Sequence, residues 1–96
     1  MDVLHDETNH RFYIPLEGGQ EVDLFYRRVG NALDFYHTSV PPTVRKRGLA
    51  EQVVEAGFRY AEANHFKVIP SCSYVSDRFL KKRAEFLPLV SFSPAD

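Results

Sequence analysis

The chain has a single cysteine, Cys72, in 96 residues. No intramolecular disulfide or cysteine-based zinc cage can form, and the pattern of a secreted disulfide scaffold is absent. Long hydrophobic runs are absent too. No apolar stretch exceeds three residues, as at Phe12 to Ile14 and Leu24 to Tyr26, against the roughly 20 a membrane helix needs. The start, Met1 to Glu7, is acidic where an export signal is basic and then apolar. His5, His10 and His65 have no ligand-like spacing with each other or with Cys72, so no metal site is read. The serine-hydrolase elbow, the P-loop and the dinucleotide-binding glycine pattern are missing, which removes those three classes. These absences lead to the expectation of a cytoplasmic protein without a membrane partner.

What is present suffices for one small domain, spanning residues 1–96. With 44% hydrophobic and 26% charged residues the chain fills a core without metal or disulfide staples. The net charge of −1 hides an asymmetry: residues 1–40 carry −4, residues 41–83 carry +5 and residues 84–96 carry −2. The middle attracts anions. A pI near 6.4 lies below the value above about 9 usual for a nucleic-acid face, so a small polyanion suits it better than a long one.

Apolar residues alternate from Asn9 to Leu16, Glu21 to Arg28 and Ala32 to Val40, the period of half-buried strands. Gly18-Gly19 and Gly30-Asn31 separate them, which predicts an antiparallel meander. Strict alternation puts Leu33, Phe35 and His37 on one face of the third strand and Asp34, Tyr36 and Thr38 on the other. Pro41-Pro42 ends that strand. From Gly48 to Asn64 the period becomes helical, with Ala50, Val53, Val54, Gly57 and Ala61 on one side. Lys67 to Ser71 reads as a short buried strand and Tyr74 to Arg83 as a second, basic helix. The expected fold is α+β, in the order β-β-β-α-β-α, with an apolar tail from Ala84 packing along an edge.

The most informative stretch runs from His37 to Ala50, a strand leading through a cationic loop into a helix. A helix N-terminus offers unpaired N–H groups and partial positive charge, so a pyrophosphate can sit there, with Gly48 allowing close approach and Arg45, Lys46 and Arg47 adding attraction. The pattern Arg45-x-x-Gly48-x-Ala50 alone arises in about one chain of this length in ten. Its place between a meander and an amphipathic helix makes it far more specific.

With these residues the sequence resembles the short single-domain branch of the GNAT superfamily of acetyl-CoA-dependent N-acetyltransferases. The resemblance runs from the meander through His37-Thr38-x-Val40-Pro41 and the Arg45 to Ala50 loop to Pro70-Ser71-Cys72-Ser73-Tyr74-Val75. It implies transfer of an acetyl group from acetyl-CoA to an amine, on a small molecule or a protein, by a monomer or weak dimer. Coenzyme A would lie with its pyrophosphate on the main chain of Arg45, Lys46, Arg47, Gly48, Leu49 and Ala50, its pantetheine arm beside Val40, entering where the third and fourth strands separate. Cys72 is the candidate nucleophile, since a thiolate attacks thioesters; His37 is the candidate base and Tyr74 the candidate acid for the leaving thiolate. Direct attack by the amine and an acetyl-Cys72 intermediate both remain open. Two other readings stand beside this one. A coenzyme A-binding module without activity would need neither Cys72 nor Tyr74 in the pocket. An interaction domain would join Arg45 to Arg47 with Arg78 to Arg83 as one basic patch.

Overall fold

The computed structural model describes residues 2–92. One five-stranded sheet runs in chain order: β1 (Leu4–Asp6), β2 (Arg11–Pro15), β3 (Glu21–Val29), β4 (Ala32–Ser39) and β5 (Lys67–Ile69). The first four are antiparallel and β5 joins β4 in parallel, because the 15-residue helix α1 (Leu49–Ala63) carries the chain back across the sheet. The α+β class is as the sequence predicts, but with one strand more. β1 has no apolar alternation to announce it. It is held by His5, whose ring stacks on Phe12 at 4.0 Å and whose Nε2 lies 2.6 Å from the buried Tyr26 hydroxyl.

The face of the sheet under α1 collects Phe12, Ile14, Val22, Leu24, Leu33 and Phe35, all buried against Val53, Val54, Phe58 and Ala61 of the helix. Gly57 is the point of closest approach. A Cβ there would stand 2.8 Å from both Leu24 Cδ2 and Phe35 Cζ, so only glycine lets the helix settle onto the strands.

The alternation expected for β4 fails at one residue. Phe25 pairs with His37 but Tyr26 pairs with Phe35, leaving Tyr36 as the extra residue of a β-bulge. Beyond it the faces exchange. His37 is turned to the far side, stacked on Phe25 with ring centres 5.8 Å apart, while Thr38 joins Leu24 on the helix side. Strict alternation predicts the reverse placement, and the extra residue is why it fails.

The basic segment after β5 is also not the regular helix expected. Val75–Phe79 is π-helical, continuous with α-helical geometry at Ser73 and Tyr74 before it and at Leu80–Lys82, here α2, after it. Val75, Phe79 and Leu80 are buried, at spacings of four and five, which a π turn brings to one side. The tail packs along the edge of β5, as expected: Val90 bridges Val68 in parallel, and the Ser91 N–H donates to the Val68 carbonyl at 2.8 Å. The part of that expectation falling on residues 93–96 lies outside the described residues.

Arg83 ties this tail and α1 together. Its Nη1 lies 3.2 Å from Glu51 and 3.1 Å from Glu55, and its Nε 2.9 Å from Glu85. Hydrogen bonding from Arg83 is the main cause holding the Glu55 carboxyl below its usual 4.5. A depressed carboxyl stabilises the fold above its unfolded pKa and loses that contribution as pH falls through the folded value. The gap in Tm between the wild type and Arg83→Met is therefore expected to narrow on acidification from pH 7 through about 4. Parallel melts across that range check it, a constant gap being the contrary result.

Candidate functional site

Past Asp34 and Ile69, the last paired residues, β4 and β5 part. One further hydrogen bond, from the Cys72 N–H to the Phe35 carbonyl at 2.9 Å, closes the fork. Beyond it β4 has no strand partner on that side among the described residues. The end of β4 thus leads into a groove of about 560 Å³ between the loop before α1 and the π segment. That is within the roughly 300–1,000 Å³ usual for ligand sites.

The loop before α1 is built for close approach. Pro42–Val44 makes one 3-10 turn, after which Lys46 and Gly48 both take left-handed conformations, φ 69° and 75°. A left-handed non-glycine residue such as Lys46 costs about 1–2 kcal/mol, strain of the kind found at ligand clamps. Gly48 is the N-cap of α1, and no side chain caps that end. The amides of the first turn are left facing outward. A Cβ at Gly48 would meet nothing within 4 Å, so the space before the helix is open.

Charge follows the same layout. Arg45 and Lys46 line one wall and Arg78 and Lys82 line the groove with them, whereas the one acid, Glu51, is engaged by Lys82 at 3.3 Å and by Arg83. The groove is cationic. Its lining includes Val40, Gly48, Leu49, Ala50 and Tyr74. Tyr74 is half-buried, and burial first, then the charge of Glu51, push its phenol above the ordinary value of 10 against the opposing pull of Arg78. At neutral pH it is a proton donor.

Of the residues singled out from sequence, Val40, Arg45, Lys46, Gly48, Leu49, Ala50 and Tyr74 meet in this groove. Arg47 does not; it lines a neighbouring groove with Thr43, Leu16 and Gln20. Cys72 lies at the fork, half-buried, its Sγ 3.5 Å from Thr38 Oγ1, and is not part of the groove lining. His37 stands on the opposite face of the sheet. The three catalytic candidates therefore do not form one cluster: His37 stands apart, while Cys72 is near enough to Tyr74 for its charge to raise the phenol. Val44 and Phe79, apolar walls of the groove, were not singled out, because an apolar residue next to a motif carries no signal that it faces a ligand rather than the core.

A family described as GCN5-related N-acetyl-transferase matches residues 11–89. Among similar sequences, Protein NATD1 of Gallus gallus is 30% identical over 77 residues, 78% of this chain and 70% of that protein. Protein NATD1 of Mus musculus is 31% identical over 75 residues, 76% of this chain and 68% of that protein. The NMR structure of a GCN5-like protein from Staphylococcus aureus shares the fold, with a TM-score of 0.67 at 24% identity, covering 94% of this chain and 87% of that one.

Proposed function

Because the chain belongs to the GCN5-related N-acetyl-transferase family, we propose that it moves an acetyl group from acetyl-CoA directly to an amine, with the groove before α1 as the coenzyme A site. The observation that carries this reading is the convergence of an uncapped helix N-terminus, four cations and the protonated Tyr74 on one groove. Acetyl-CoA supplies an acyl group activated as a thioester. The main-chain N–H groups from Gly48 to Glu51 hold the pyrophosphate, helped by Arg45, Lys46, Arg78 and Lys82. Unpaired main chain of β4 up to Val40 lies along the arm. Tyr74 donates its proton to sulfur as the carbon–sulfur bond breaks and the carbon–nitrogen bond forms, and the amine releases its own proton to water. Cys72, behind the fork, packs against Thr38 and takes no part in the transfer. His37, on the far face, has no place in this groove.

Gly48→Val tests the cofactor site. A β-branched side chain at φ 75° strains the turn by about 1–2 kcal/mol and projects into the space the phosphates need. Calorimetry is expected to show coenzyme A affinity reduced at least about tenfold, roughly 1.4 kcal/mol, in a protein that still melts cooperatively. Unchanged affinity in the folded variant overturns the assignment, and tighter binding of an oligonucleotide than of coenzyme A favours the basic-patch reading.

A further inference from the structure

At the other end of α1 lies a second cleft that shares no lining residue with the groove. It is roughly 13 Å along the helix from it, counting the rise from Glu51 to Tyr60. Its volume is about 160 Å³, the share of liquid occupied by about five waters. The walls are aromatic: Tyr26, Tyr60, Phe66 and the ring of His10. The floor is rigid, since Tyr26 is buried, bonded through its hydroxyl to His5 and covered by His10 at 5.4 Å. His10 takes a left-handed conformation, φ 54°, to stand there.

Two opposite charges face this cleft without meeting. Glu7 accepts a hydrogen bond at Oε1 from the Tyr60 hydroxyl at 3.3 Å, and its other oxygen has no hydrogen-bond partner among the described residues. Arg28 spends only its Nε, on the Gly30 carbonyl at 3.1 Å, and lays its guanidinium over Phe66 at 4.6 Å. Neither is in an ion pair among the described residues. Both nevertheless act on Tyr60, whose phenol is raised by burial first and then by Glu7, with Arg28 opposing. A carboxylate at the Tyr60 hydroxyl and a guanidinium over the neighbouring Phe66 ring, with net charge zero between them, favour neither a simple anion nor a simple cation. They suit a molecule that carries both charges.

We propose that this cleft binds a small zwitterion of the amino-acid class, its ammonium on Glu7, its carboxylate on Arg28 and its aliphatic part against the rings. The two Nη groups of Arg28 make no hydrogen bond among the described residues and can take the carboxylate as a fork. The aromatic faces add attraction for the ammonium. This site is independent of acetyl transfer.

The test is an amide-detected NMR titration of the full chain with L-valine, N-acetyl-L-valine and L-valinamide. Valine is expected to give saturable shifts at Glu7, His10, Arg28 and Tyr60. Each singly charged analogue, and valine with Glu7→Gln or Arg28→Gln, should bind at least about tenfold more weakly. Coenzyme A affinity, measured on the same samples, should not change. Absence of saturable shifts in the millimolar range, analogues binding as tightly as valine, or variants binding like wild type would each overturn the proposal. The analogue comparison is made on the wild-type chain, so it decides even if a variant folds poorly.

Discussion

Phe58→Ala is expected to destabilise the protein by about 3–5 kcal/mol, the largest effect of any single truncation considered. Phe58 is fully buried on α1 and meets three elements at once. Its ring lies 5.3 Å from Phe35 of β4, 5.4 Å from Phe79 of the π segment, stacked at 8°, and 5.1 Å from Phe86 of the tail. No neighbour can collapse into the gap without leaving another. A domain of this size has about 5–15 kcal/mol in total, and each kcal/mol moves Tm by about 4–8 °C. A fall in Tm beyond about 12 °C is therefore expected, with cooperativity reduced. Gly57→Ala next to it fails for the opposite reason, overpacking Leu24 and Phe35 at a cost of about 1–3 kcal/mol. A loss below about 1 kcal/mol for Phe58→Ala in urea denaturation would show that this cluster does not hold the π segment to the sheet.

The same cluster explains what could be read from sequence. Strands β2 to β4 and helix α1 are legible because their inward residues repeat at two and 3.6, and the core is made of those residues. β1 is not, because its one inward side chain is His5, which a hydrophobic count treats as polar although it stacks like an aromatic. The bulge at Tyr36 leaves no trace in composition. It adds one residue, and every side chain after it changes face, which is why His37 and Thr38 exchange places. In the groove, Arg45, Lys46 and Gly48 to Ala50 are legible because a strand, a cationic loop and a helix start follow one another in the chain. Arg78 and Lys82 are joined to that loop by the basic-patch reading alone, on charge, and what brings them to the same groove is the packing of Phe79 against Phe58. Arg47 shares its neighbours' charge, but the left-handed turns on either side of it send it elsewhere.

The bulge and the fork together separate the two chemical routes, and a pair of variants decides between them. If Tyr74 is the acid, Tyr74→Phe should lower kcat by a factor of about 10² to 10⁴, because the ring still fills its place while the proton is gone. Coenzyme A affinity should hold, since the hydroxyl contributes nothing to the pyrophosphate contacts. In the wild type the rate should fall at alkaline pH, above the ordinary phenol value of 10, where the raised Tyr74 finally ionises, and this limb should be missing from Tyr74→Phe. Cys72→Ala removes a sulfur that packs on Thr38 outside the groove lining and that is the last of the causes acting on the Tyr74 phenol, so its kcat should stay within about tenfold of wild type, a change of at most roughly 1.4 kcal/mol in the barrier. An acetyl-cysteine route makes the opposite demand. It requires the Cys72 sulfur to reach the fork's open side, with His37 unable to serve it from across the sheet. Intact mass after incubation with acetyl-CoA should then show a 1:1 adduct that Cys72→Ala lacks. An inactive Cys72→Ala beside a fully active Tyr74→Phe would establish that route and remove Tyr74 from the mechanism.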